Sequence, residues 1–177
     1  MSKLIVVIGF MGCGKTEVAS RLAHRLNLQF IDLDELITKT EGRAPAQLIR
    51  EDGEQAFRNI ETKVLSDLVK KDEDRVVALG GGAWIQSANR QLIDDSDGVS
   101  VWLNTPFEVC WERISTSSED RPLGATREEA LTRFHQRLPI YQLADVVINA
   151  TAEDDPEILA SRMQDDLSKL ASSQSIY

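Results

Sequence analysis

The chain of 177 residues has only two cysteines, Cys13 and Cys110, far apart and outside any C-x-x-C pattern. Neither a disulfide framework nor a zinc site is indicated, and a reducing, cytoplasmic setting is expected. No apolar run approaches the roughly 20 residues of a membrane-spanning helix, so no membrane partner is expected. Positive charge is in deficit, with 20 Lys and Arg against 29 Asp and Glu for a net charge of −9. No basic block of the kind that marks a nucleic-acid tail is present, and nucleic acid is not expected as a partner. A polyanionic substrate would therefore need a locally positive site on a repelling surface. Repeats, linkers and low-complexity blocks are missing as well, and the length fits one domain, read as a monomer acting on small molecules.

What the chain does have begins at once. The apolar run Leu4–Ile8 leads into Gly9-Phe10-Met11-Gly12-Cys13-Gly14-Lys15-Thr16, a G-x-x-x-x-G-K-[ST] phosphate-binding loop in a strand-to-helix setting. Glycines let backbone N–H groups of Gly12, Cys13 and Gly14 turn inward at a helix start whose dipole favours anions. Lys15 adds a point charge for the β- and γ-phosphates, and the Thr16 hydroxyl can ligate Mg²⁺. Lys3 before an apolar stretch has the look of a signal-peptide start, but cleavage there would destroy the loop. Cys13, at a helix start beside Lys15, is expected to be a reactive thiol whose alkylation competes with nucleotide.

Short apolar strands are predicted near Leu4–Ile8, Gln29–Ile31, Val76–Leu79, Val99–Leu103 and Val146–Ile148, alternating with helices. That alternation predicts an α/β fold, a parallel five-stranded sheet flanked by helices. Predicted helices cover Thr16–Leu26, Asp34–Thr40, Pro45–Glu51, Glu54–Lys70, Pro106–Ser115, Arg127–Tyr141 and Pro156–Leu170, with Pro106 and Pro156 placed in first turns. The polar segment Thr116–Ala125, bearing Gly and Pro, is predicted to be a mobile lid, and the Ser-rich tail from Ala171 to fray.

Several residues could do chemistry. Asp32 and Asp34 end the second strand; alternation would send both to the crevice side, one to hold metal and one to orient a hydroxyl, or one of them caps the next helix. Gly80, Gly81 and Gly82 follow the third strand, either exposing bare backbone to a ligand or forming a plain turn. Arg58 and Glu61 stand three apart on a helix, so Glu61 can steer the guanidinium toward a substrate carboxylate, or the two form an ordinary ion pair. Arg121, in the predicted lid, could neutralise a transferring phosphoryl group on closure. His24 and His135 are given no role, and the three tryptophans are expected to pack.

Read in order, Gly9–Thr16, Asp32-x-Asp34, Gly53-Glu54-x-x-Phe57-Arg58-x-x-Glu61, Gly80-Gly81-Gly82 and the pair Arg121-Pro122-Leu123 with Arg137-x-x-x-Tyr141 resemble the motif set of shikimate kinases, over residues 3 to 149. The resemblance implies a three-layer P-loop kinase fold with a small substrate-binding subdomain near residues 33–61 and a lid near 116–126. It implies Mg²⁺-dependent transfer of the ATP γ-phosphoryl group to the 3-hydroxyl of shikimate. It further implies that Asp34, Arg58, Gly80, Gly81, Gly82 and Arg137 bind shikimate, and that Lys15 and Arg121 surround the transferred group. Thr16 and Asp32 would hold the metal, and Arg113 would lie against adenine. Rival readings are a gluconate-type kinase, which needs no such arginine pair, a nucleotide kinase, and a catalytically silent nucleotide-binding regulator.

Overall fold

A computed structural model describes residues 3–117 and 126–174. Most of the predicted lid, including Arg121, lies outside the described residues. β1 (Leu4–Ile8) is buried at every position, as an unbroken apolar run requires in a sheet covered on both faces. It takes the centre of a parallel sheet in the order β2-β3-β1-β4-β5, with β2 (Gln29–Asp32), β3 (Arg75–Ala78), β4 (Val99–Asn104) and β5 (Val146–Asn149). The edge strand β5 alternates buried and exposed residues.

Among the described residues eight helices flank this sheet: α1 (Lys15–Leu26), α2 (Leu33–Glu41), α3 (Pro45–Asp52), α4 (Glu54–Val69), α5 (Ser87–Asp94), α6 (Phe107–Thr116), α7 (Arg127–Tyr141) and α8 (Pro156–Gln174). α1 buries Val18, Ala19, Leu22 and Ala23 on one stripe and packs against β2 and β3. α8 covers α1, and Arg25 joins them by donating to Gln164 Oε1 (2.9 Å), Glu157 Oε1 (2.6 Å) and Ser161 Oγ (3.1 Å). α4 packs against α2, α3 and α5.

The register sets the site. Val7 pairs with Ala78 and Ile8 with Trp102, so the loop after β1 and the glycines after β3 leave the sheet side by side at its carboxyl edge.

Three expectations change. α5 was not expected: its apolar stripe is thin, and a buried polar residue, Asn89, anchors it by donating to Ala83 O at 2.9 Å. α8 continues to Gln174 instead of fraying at Ala171. Pro106 is the N-cap of α6, with extended ψ, one position ahead of the first turn.

Arg75, 1% exposed at the start of β3, closes the end of α4. Its guanidinium donates to the carbonyls of Leu68 (3.0 Å), Lys71 (2.9 Å) and Glu73 (2.9 Å) and to Glu73 Oε2 (3.1 Å). Arg75→Met removes the charged donor from all three carbonyls and leaves Leu68 O and Lys71 O to backbone N–H groups such as those of Lys71 (3.2 Å) and Glu73 (2.9 Å). The expected loss of unfolding free energy is about 3 kcal/mol, read as a lower urea midpoint at constant slope; a midpoint equal to the parent's would contradict this role.

Candidate active site

One large cavity, of about 1210 Å³, opens at the carboxyl edge of the sheet. One end is the loop after β1. Gly14 caps α1 at φ 93°, a conformation a side chain resists, and aims the helix N-terminus at the cavity. The loop carbonyls are held away from it: Thr105 Oγ1 donates to Cys13 O (3.2 Å), and Arg113 Nη1 donates to Cys13 O (3.2 Å) and Gly12 O (3.4 Å). Lys15 lines the cavity and, among the described residues, pairs with no carboxylate, which leaves its charge available to an anion.

Thr16 Oγ1 donates to Asp32 Oδ2 at 2.9 Å. The other Asp32 oxygen accepts from Asp34 N (2.9 Å) and Glu35 N (3.3 Å), so Asp32 is the N-cap of α2 while still facing Thr16. A hydroxyl and a carboxylate oxygen beside Lys15 are the hard donors that suit Mg²⁺, an ion that takes one or two protein oxygens and completes its shell with phosphate and water.

The far end of the cavity carries charge of both signs. On α4, Arg58 Nη1 donates to Glu61 Oε2 at 2.8 Å, and Nη2 donates to Glu54 Oε1 at 3.2 Å. The Arg58 and Glu61 side chains are 8% and 0% exposed, so this is a buried pair and not a solvated helix contact. Burial works against the Arg58 charge, but the two carboxylates outweigh it and hold the guanidinium above its usual range. Burial pushes the Glu61 carboxyl up to about 7, with Asp34 adding to the rise and Arg58 and Arg137 opposing it. Glu61 Oε1 is buried and accepts from no protein group among the described residues.

Arg137 and Tyr141, one turn apart on α7, both donate to Gly81 O, at 2.9 and 2.5 Å. Burial raises the Tyr141 hydroxyl well above its normal range and keeps it a donor. The turn beyond the glycines is braced by Trp84 Nε1 on Ile140 O (3.0 Å) and Arg90 Nη1 on Trp84 O (2.6 Å).

The cavity thus brings together Gly12, Gly14, Lys15, Thr16, Asp32, Asp34, Arg58, Gly80, Gly81, Gly82, Arg113 and Arg137 from the sequence reading. The expected reactivity of the Cys13 thiol is corrected. Cys13 does not line the cavity, its N–H donates to Phe10 O at 3.2 Å, and its thiol is buried against Gly9 at 2% exposure, so an alkylating reagent has no approach. Of the two readings of the Asp pair, capping holds: Asp32 caps α2 and Asp34 stands in its first turn, as the predicted helix Asp34–Thr40 has it. Tyr141 and Thr105 carried a sequence signal only in part, since the i,i+4 spacing from Arg137 marks Tyr141 and nothing local marks Thr105.

The raised Glu61 group makes stability depend on pH. Between its unfolded value of 4.5 and about 7 the folded chain holds a proton that the unfolded chain releases, so the Glu61 contribution is lost as pH rises through that window. Glu61→Gln lacks this titration, so whatever its stability at pH 4.5, the difference in unfolding free energy between variant and parent should shift in the variant's favour as pH rises to 7; parallel pH profiles would contradict the assignment.

Comparison with known proteins follows the same line. A family model for shikimate kinase matches residues 11–168. A shikimate kinase of Cereibacter sphaeroides is 37% identical over 170 residues, covering 94% of this chain and 83% of the relative. One from Aquifex aeolicus is 38% identical over 155 residues, covering 86% and 89%. The solved shikimate kinase from Acinetobacter baumannii in complex with shikimate superposes with a TM-score of 0.86 at 30% identity, covering 100% of this chain and 97% of that one. Phosphate loop, paired charges and glycine turn therefore sit in a chain that belongs to the shikimate kinase family.

Proposed function

We propose that this chain transfers the γ-phosphoryl group of ATP to the 3-hydroxyl of shikimate, giving shikimate 3-phosphate and ADP in the chorismate and aromatic amino-acid pathway. The observation that carries the reading is the convergence, opposite the phosphate loop, of Asp34 with the buried Arg58 and Arg137 around Gly80–Gly82. A carboxylated polyol needs cations for its acid group and a carboxylate for its hydroxyls, and one cavity supplies both.

In the proposed reaction Arg58 and Arg137 bind the acid group, which turns the ring hydroxyl toward the phosphate loop. Asp34 orients that hydroxyl and accepts its proton as the oxygen attacks the γ-phosphorus; the bond to the bridging oxygen breaks and its electrons leave with ADP. Lys15 and Arg121 neutralise the transferring group, and the loop N–H groups hold the remaining phosphates. Thr16 and Asp32 would hold Mg²⁺, which supplies charge neutralisation when bound. Arg113 flanks the adenine while its Nη1 keeps the loop carbonyls turned away. No helix among the described residues is long and apolar enough to cross a membrane; a cytoplasmic monomer is part of the proposal.

ADP release from MgATP tests it, with shikimate beside gluconate, AMP and no acceptor. Turnover of order 1 s⁻¹ or more with shikimate alone is expected; turnover confined to another acceptor overturns the substrate, and silence with all overturns the enzyme. Lys15→Met should lower kcat by about 10³ or more. Arg58→Ala should raise the shikimate KM about 100-fold while sparing the ATP KM, and Asp34→Asn should lower kcat by about 10² to 10⁴.

A further inference from the structure

The three glycines after β3 do not need glycine for their backbone. Positive φ occurs at Gly9, Gly12, Gly14, Gly42 and Gly53, and at none of Gly80, Gly81 and Gly82. Gly82 sits at φ −108° and ψ −10°, where other residues fit without strain. Alanine would therefore change the space at these positions and not the conformation.

That space is occupied. A Cβ at Gly82 would overlap Arg58 Nη2 and lie 2.6 Å from Cζ and 2.8 Å from Nη1. The guanidinium in its path is the one held by Glu61 and Glu54. At Gly80 a Cβ would lie 2.8 Å from Asp34 Oδ1 and 3.1 Å from Glu61 Oε1. Gly81 is less crowded, with Met11 N at 3.3 Å and Arg137 Nη1 at 3.5 Å, and it contributes its carbonyl instead. Each flanking glycine thus faces a different charge.

We propose that Gly82 is a positioning residue for acid-group recognition: its missing side chain is the slot in which the Arg58 guanidinium lies. The inference rests on the shikimate reading and extends it to a residue that acts on substrate through another. An added methyl meets the far end of a long side chain and no backbone atom, so it is the guanidinium that must shift. The displaced guanidinium would leave its partners and its aim, so the damage falls on carboxylate binding. Gly80 stands in the same relation to Asp34, so Gly80→Ala should act mainly on kcat. One methyl placed two residues apart would then move two different kinetic constants.

The test is a double-mutant cycle of Gly82→Ala and Arg58→Ala, with KM measured for shikimate and for ATP. Gly82→Ala is expected to raise the shikimate KM about tenfold or more with the ATP KM within about twofold of the parent. Added to Arg58→Ala, it should change the shikimate KM by less than about twofold, because the group it displaces is gone. An unchanged KM in the single variant, an equal effect in both backgrounds, or an equal loss for ATP overturns the proposal. If Gly82→Ala does not fold, recovery of folded protein on adding Arg58→Ala supports the clash, and failure to recover overturns it. A parent that ignores shikimate overturns the function itself, whereas an active parent with an indifferent Gly82→Ala overturns only this inference.

Discussion

The proposed substrate end of this protein depends on one buried ion pair. Arg58 and Glu61 leave water together on a single turn of α4, and a charge so placed is tolerable only while its partner and its hydrogen bonds are kept. Glu61 gives the guanidinium a fixed partner, Glu54 a second one nearer solvent, and the bare backbone after β3 gives it room. The turn providing that room is itself secured, by Arg137 and Tyr141 on the Gly81 carbonyl and by Trp84 and Arg90 beyond it. Helices α4 and α7, far apart in sequence, are thereby committed to one geometry.

The sheet explains why this cluster lies opposite a phosphate site. All five strands run parallel, so the residues after β1 and β3 emerge at the same edge, one pair as an anion nest and the other as a charged pocket. The chain as a whole carries a net charge of −9, so attraction of ATP and of an acid acceptor must be local. Four of the cations lining the cavity, Lys15, Arg113, Arg58 and Arg137, meet that need. Each has a separate anchor or a separate target, which keeps like charges from having to share one.

Much of this was legible in the residues. Five apolar strands, the stripe on α1 and the phosphate loop are local patterns, and the pairing of Arg58 with Glu61 follows from helical spacing. What was not legible depended on contacts between distant segments. α5 is anchored by a buried Asn89, which no periodicity of apolar residues reveals. Which of Asp32 and Asp34 caps the next helix is decided only by the fold, where Asp32 takes the cap and Asp34 the first turn. Cys13 looks exposed in a glycine-rich loop, yet the loop folds its thiol inward against Gly9. The glycine triplet reads as a turn or a ligand contact until Arg58, more than twenty residues upstream, is seen lying on Gly82.

The proposed acceptor pocket is assembled before nucleotide arrives, since its charges are already paired and braced within the chain. Calorimetric titration of shikimate into nucleotide-free protein, with gluconate and the Arg58→Ala variant alongside, tests that most directly. Saturable shikimate binding, weakened about tenfold or more by Arg58→Ala and not matched by gluconate, is the predicted result. Binding that ignores the substitution, or that favours gluconate, would contradict it.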